Sequence, residues 1–425
     1  MSEQASDAAT GTRRSAKHGW AAALVAVLGG FVAMVVMASL GLWAAGATGL
    51  PGNAFPRVVA AVVVMAACGS VDFTGNAGEL ARTHADISAL PLSVTLAGAL
   101  VIAAGFLRPL RHRAIASARE LAGWAARLAA PWLVILIVLA VVARQDFEIP
   151  IQDPTGGFIE GILGAPKVGF RANVPLTVVY GLLWLAAVLI LALLVSRGAP
   201  LPARLVRFQE SVRPAAYAMV ALLLACVAVG LVIGLVVAAT RSHPARTFAV
   251  ILLGLPNVVW FSYTLGLGAS WDGRVDGPFG LPMPHVLAQV LRTPDISTVN
   301  LSTLAQHDGR VWWALPVAAV LTLGAAFVMA LRSPARIRAW QHALHMTVAL
   351  VLTVLAICLL SRISAHYGLS LLGLGDIGGG LAGQVSLQPR LWTALGFAAL
   401  WGLVTGFLGA LLASRRHRRG EVADR

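Results

Sequence analysis

The sequence predicts an all-α polytopic membrane protein. About eight transmembrane helices form two parallel four-span repeats, and each repeat carries one short re-entrant or interfacial segment. Three observations lead there. The 425 residues are 58% hydrophobic and only 12% charged, with a mean hydropathy of +0.80. A soluble domain of this length could not bury so much apolar surface, so lipid must cover it. Apolar runs long enough for a bilayer recur along the whole chain. Finally, one unit occurs twice, as ALPLSVTLAGALVIAAGFLRPLRHR at 89–113 and ALPVAAVLTLGAAFVMALRSPARIR at 314–338. Both copies open with Ala-Leu-Pro and close on a cluster of arginines, and ALLVSR at 192–197 is answered by ALLASR at 410–415.

Residues 1–19 are a basic tail with Arg13, Arg14 and Lys17 ahead of an apolar run from Trp20 to Ala47. That run is too long for the core of a signal peptide and reads as a retained first span. Further spans are expected near 89–107, 123–143, 176–196, 215–239, 311–331, 343–360 and 391–413. The first membrane repeat therefore covers 20–199 and a basic linker 200–213. The second repeat covers 214–414, including an extracellular loop at 269–310, and 415–425 is a basic tail.

Two apolar segments are irregular and occupy matching places in the halves. Val58 to Val71 is short, in the range of a re-entrant or interfacial piece. Ala249 to Gly268 is longer but interrupted by Gly254, Pro256-Asn257, Gly266 and Gly268. Charge argues that neither crosses. With a cytoplasmic N-terminus and neither crossing, the inside holds twenty of the 32 Lys/Arg: three before the first span, five in 108–127, four in 197–213, three in 332–338 and five after 414. If both cross, the split falls to seventeen against fifteen. The first arrangement follows the positive-inside rule. It also keeps the duplicated arginine clusters Arg108/Arg111/Arg113 and Arg332/Arg336/Arg338 on one face, as parallel repeats require.

Gly230-xxx-Gly234 and Gly402-xxx-Gly406 are expected to let helices pack closely. Trp20, Trp124, Trp271, Trp312 and Trp340, near segment ends, read as an interfacial belt. His342 and His345, one turn apart at the end of a span, read as solvated. Cys68, Cys226 and Cys358 read as small core residues. The loops at 144–175 and 361–390, the latter with GLGDIGGGLAG at 373–383, read as flexible or half-inserted, and Pro284 to Leu291 as a short surface helix.

LLGLPNVVW at 252–260, WDGR at 271–274 and TLAQHDGRVWW at 303–313 resemble the streptophobe family of actinobacterial integral membrane proteins. The resemblance runs along nearly the whole chain. It implies a multi-pass membrane protein and carries over no catalytic or binding residue. The Ala/Gly/Val-rich composition, with only Lys17 and Lys167 as lysines, also fits an actinobacterial, GC-rich source.

None of the eight expected spans carries Asp, Glu, Lys or Arg centrally, which disfavours proton pumps and voltage sensors. Polar residues at membrane depth gather in and after the two irregular segments. Ser70, Asp72, Thr74 and Asn76 lie in one; Asn257, Ser262, Tyr263 and, at the mouth, Asp272 lie in the other. A broken helix leaves backbone groups that can meet a solute, and paired interruptions in two repeats point to a transport site. The expectation is a permease or channel-like protein for a small solute, with those eight residues as solute-binding candidates. The alternative is a non-transporting scaffold or envelope-assembly partner that binds another protein through its extracellular loops. No enzyme signature, cofactor or metal site is expected, since no H-x-x-H or H-E-x-x-H helix frames His84, His243, His285, His307 or His366 and no G-x-S-x-G pattern occurs. The basic charge sits at span ends, so nucleic acid is not an expected partner. The expected location is the plasma membrane, with both termini cytoplasmic.

Overall fold

The computed structural model describes residues 2–52, 54–76, 81–112, 118–148, 167–196, 206–240, 243–275, 297–334, 337–371 and 383–414. The first half of the chain comprises α1 (Ser2–Ala44), α2 (Phe55–Ala66), β1 (Val71–Asn76), β2 (Ala81–Ser88), α3 (Leu92–Leu107), α4 (Ala118–Val142), β3 (Arg144–Glu148), β4 (Lys167–Ala172) and α5 (Val174–Val195). The second comprises α6 (Val206–Thr240), α7 (Pro244–Gly266), β5 (Trp271–Val275), β6 (Ser297–Val299), a five-residue α8 (Leu301–Ala305), α9 (Ala314–Arg332), α10 (Ala339–Ser361), β7 (Ile363–Leu371), β8 (Gly383–Pro389) and α11 (Leu391–Ser414). Apart from α8, the halves run through the same sequence of elements.

Among the described residues, eight helices are long and apolar enough to cross a membrane: Gly19–Ala44, Arg119–Val142, Val174–Val195, Val212–Thr240, Pro244–Gly266, Gly309–Arg332, Ala339–Ser361 and Leu391–Ser414. The chain is an integral, multi-pass membrane protein. By length, the set is not quite the expected one. Pro244–Gly266, expected to be interrupted, reaches 23 residues across a kink at Gly254, whereas the Ala-Leu-Pro span yields a helix of only 16 residues, Leu92–Leu107. At 1.5 Å per residue the latter is about 24 Å long. Pro91 is the reason, since it ends the extended approach from β2 and cannot lie deeper in a helix.

The loops expected to be flexible instead contribute to a sheet, so the fold is helical but not purely α. Among the described residues, eight antiparallel strands run in the order β3-β4-β1-β2-β7-β8-β5-β6. Each half supplies four, and the order within each half is the same. The halves meet where β2 pairs with β7, from Ala81 opposite Leu371 to Ser88 opposite Ser364. β5 alternates buried and half-buried residues along Trp271–Val275, the period of a strand with one face on a core. Residues 276–296, in the loop expected to be extracellular, and 372–382 lie outside the described residues, so the expected surface helix at Pro284–Leu291 and most of the glycine-rich 373–383 stretch are not described.

The sheet lies at one end of the helices. The C-terminal ends of α2, α4, α7 and α10 and the N-terminal ends of α3, α5, α9 and α11 all lead within a few residues into or out of its strands or, for α9, the short α8 that follows β6. At the first turn of α2, the Arg57 guanidinium donates to the Gln145 side chain of β3. At the far end of α9, the Arg332 guanidinium lies 3.2 Å from the centroid of the Tyr217 ring of α6.

The apolar core falls into two clusters, one per half. In the first, Phe31, Trp132 and Trp184 stack at centroid distances of 4.5 and 5.0 Å. The second surrounds Trp271, which is fully buried and meets Phe261 edge-on at 5.1 Å. Each cluster borrows from the other half: Leu92 of α3 belongs to the second, and Leu253 of α7 packs on the first.

Two expectations about individual residues are overturned. Trp271 and Trp124 are buried, unlike Trp20, Trp312 and Trp340, which are exposed. The Trp271 indole N–H donates to Thr264 and that of Trp124 to the Phe106 carbonyl, and a buried indole is stable only with such a partner. His342 is likewise fully buried, because Gly406 of α11 presses against its backbone and draws α10 and α11 together. Gly402 meets Thr347 in the same way, and Gly230 and Gly234 admit Val259 and Ile251 of α7, the close approach expected of small residues.

Candidate functional site

α2 and α7 end in the same cap. In α2, the N–H of Cys68 donates to the Met65 carbonyl and the N–H of Gly69 to that of Val64. In α7, Gly268 donates to Leu265 and Ala269 to Thr264. These are the two hydrogen bonds of a Schellman motif, which needs a left-handed residue after the helix. That residue is Cys68 with φ 62° in one half and Gly268 with φ 104° in the other. The chain then turns into β1 or β5 with a further shared bond. The Ser70 carbonyl accepts from the N–H of Asn173, and the Ser270 carbonyl from that of Arg390. Ser70 and Ser270, and Asp72 and Asp272, thus occupy equivalent points.

Asp72 is exposed, and its carboxylate lies 3.4 Å from the Ser70 hydroxyl. Thr74 and Asn76 continue along β1, opposite His84 and Arg82 of β2 and Gly169 and Lys167 of β4. In the second half, Asp272 forms an ion pair with Arg390 at 2.8 Å. The same guanidinium donates to Thr298 of β6 at 3.0 Å. The Asp272 carboxylate raises the Arg390 pKa above its ordinary value by hydrogen bonding first and charge second.

α7 is not continuous. Gly254 has non-helical angles, φ −139° and ψ 17°, and Pro256 follows two residues later. Proline has no N–H, so the ladder is broken there. Ser93, in the first turn of α3, fills the break. Its hydroxyl donates to the Ile251 carbonyl at 2.8 Å and accepts from the Leu255 N–H at 3.0 Å. Ile251 and Leu255 would be hydrogen-bond partners in an unbroken helix, so the hydroxyl is inserted into one rung of the ladder. Beside it, the Asn257 carboxamide donates to the Leu90 carbonyl at 2.9 Å and accepts from the Leu92 N–H at 3.2 Å. Four hydrogen bonds thus join the break in α7 to residues 90–93 of the other half.

The remaining candidates are held within the second half. The Ser262 hydroxyl donates to the Val258 carbonyl of its own helix. Tyr263 is 2.8 Å from the Thr322 hydroxyl, which donates to the Ala318 carbonyl at 2.6 Å. A hydroxyl has one proton to give, so Tyr263 is the donor in that pair. Among the described residues, hydrogen bonds join only Ser70 and Asp72 of the eight candidates. The residues that complete the arrangement are Ser93, Thr322, Thr298 and Arg390. The only sequence signal for Ser93 is a hydroxyl immediately after Ala-Leu-Pro-Leu. No family model matches the chain, and neither does any curated protein or solved structure.

Proposed function

We propose that this membrane protein is a permease or channel-like protein for a small solute, with its route between two duplicated four-span repeats and with the form described here closed. The break in α7 carries the reading. A helix interrupted inside a bilayer leaves a carbonyl and an N–H that need a polar partner, and such breaks, at the boundary of two repeats, are where transporters hold solutes. Here the freed groups of Ile251 and Leu255 are taken by Ser93 of the other repeat.

In this reading α2 and α7 enter and leave on the sheet side, and the seven other long helices cross together with the shorter α3. Support comes from Arg57, which ties the start of α2 to β3 while its end feeds β1. Support for α7 comes from Tyr217, which lies beside the far end of α9. α6 then rises from there to the sheet, and α7 starts within four residues of its end and runs back into β5. The shared element order, the shared caps and the repeated strand order support the duplication. The sheet face is extracellular and both termini are cytoplasmic in the plasma membrane, in keeping with the arginine distribution. The motifs at 252–260, 271–274 and 303–313 support membership of the streptophobe family.

The test is reconstitution. Proteoliposomes holding the full chain should regain volume faster than empty vesicles after osmotic shrinkage by at least one of a panel of small neutral, anionic and cationic solutes. Equal rates for every member would overturn the permease reading. A docking platform for another protein is the second reading, favoured by the sheet. Its outer strands β3 and β6 each pair on one side only among the described residues, and such edges can add a partner's strand. Stoichiometric co-purification of one protein, lost on Phe147→Pro, would favour it.

A further inference from the structure

We infer that the break in α7 is a recognition site for a small, neutral, hydroxyl-bearing solute, and that Ser93 occupies it as a tethered mimic of that solute. The inference rests on the permease reading and names the substrate class of the same site.

The chemistry is that of an alcohol. One hydroxyl gives its proton to a carbonyl and takes one from an N–H, and Ser93 does both, at 2.8 and 3.0 Å, while 6% exposed. The Asn257 carboxamide, two residues beyond Leu255, offers a second donor and a second acceptor, now satisfied by the Leu90 carbonyl and the Leu92 N–H. If residues 90–93 withdraw, α7 presents two donors and two acceptors to whatever replaces them. A solute with two or more hydroxyls meets that pattern; a solute with a single polar atom meets half of it.

Charge excludes ions from the same place. The buried polar side chains among the described residues are hydroxyls and one histidine: Ser93, Thr177, Thr264, Thr322, Ser333, His342, Thr353, Ser361 and Thr405. No carboxylate, lysine or arginine is among them. An ion brought to the break would lose its water without gaining a counter-charge, which is strongly unfavourable at membrane depth. Packing restricts size. A Cβ on Gly41 of α1 would stand 2.6 Å from Leu253, and one on Gly230 would stand 2.1 Å from Val259, so the helices around the break already touch.

The site is single. The duplicated Ala-Leu-Pro units at 89–91 and 314–316 place Ala318 where the first repeat has Ser93. α2, the counterpart of α7, has 12 residues and no interior break. The equivalent pairing, Ala318 of the second half against α2 of the first, thus has neither the hydroxyl nor a gap for it to fill.

Glycerol is the first probe. Full-length protein in proteoliposomes should pass glycerol well above empty vesicles while K⁺ and formate stay excluded. Ser93→Ala removes the tethered hydroxyl and should raise glycerol flux severalfold, with K⁺ still excluded. Passage of ions without glycerol would overturn the solute class and leave the permease reading standing. Glycerol flux unchanged by Ser93→Ala would overturn the assignment of the site. No flux of any solute through folded wild-type and variant protein would overturn both. Should Ser93→Ala fail to fold, Ser93→Cys in a chain lacking the three native cysteines serves instead. Glycerol, but not KCl at equal osmolality, should slow its alkylation by N-ethylmaleimide; equal rates would overturn the assignment.

Discussion

Cys68 and Gly268 stand at the same point of two matching helix caps, both in the left-handed region, at φ 62° and 104°. Only one of them is the residue that conformation favours. A non-glycine residue there carries about 1–2 kcal/mol of steric cost, and replacing it by glycine adds roughly 0.5–1 kcal/mol of backbone entropy to the unfolded chain. The terms nearly cancel, so Cys68→Gly is expected to change stability by less than about 1 kcal/mol. Gly268→Ala regains that entropy term but adds the steric cost of the left-handed region and a clash. A Cβ there would lie 3.1 Å from the Phe397 ring, and a loss of about 2 kcal/mol is expected. Thermal unfolding of the two variants in detergent checks the asymmetry.

Asn257 and Ser262 are both polar and both in α7, yet they should respond differently to substitution. Asn257→Leu leaves the Leu90 carbonyl and the Leu92 N–H without their partner, at about 2–4 kcal/mol for the two. It should lower membrane abundance and the unfolding temperature, so a fall in solute uptake by this variant alone would not identify a solute ligand. Ser262 donates only to its own helix, and Ser262→Ala should stay within about 0.5 kcal/mol of wild type.

Tyr263→Phe tests the buried pair with Thr322. The hydroxyl being removed is a donor, and Thr322 keeps its bond to Ala318. The expected loss is about 0.5–1.5 kcal/mol, without a change of fold, measured by denaturant or thermal unfolding.

Arg390→Gln removes the ion pair that ties β5 and β6 to the start of α11. The guanidinium is well exposed, so its contribution should be small and salt-dependent. The difference in unfolding temperature from wild type should shrink between about 0.02 M and 1 M NaCl, as the screening length falls to roughly 3 Å.

Single cysteines at Ala114, Ala199 and Gly309, in a chain without Cys68, Cys226 and Cys358, test the topology. An impermeant thiol reagent on intact cells should label Gly309→Cys, where a new side chain has open space, and should label the other two only after lysis. Labelling of Ala114→Cys and Ala199→Cys from outside would make α2 and α7 crossing helices and the repeats inverted.

Much of the membrane part was legible in local composition. The apolar runs mark the long helices, and each Ala-Leu-Pro unit marks the start of a helix, α3 or α9. The sheet was not legible, because its strands are short, glycine-bearing and mostly polar, and because β2 finds β7 only across most of the chain. Trp271 illustrates the difference. At the end of an apolar segment it reads as a belt residue, but folded it is the centre of a core, with its N–H on Thr264.

The sequence by itself determined that this chain lives in a membrane and where most of its long apolar elements lie. Partition into lipid depends on the composition of each segment, so it can be read one segment at a time. Only the tertiary structure decided that Ser93 closes the break in α7 and that Asn257 grips Leu90 and Leu92. Those bonds join residues 158 to 167 positions apart. Hydrogen bonds act over about 3 Å, and no local pattern reports which distant groups come that close.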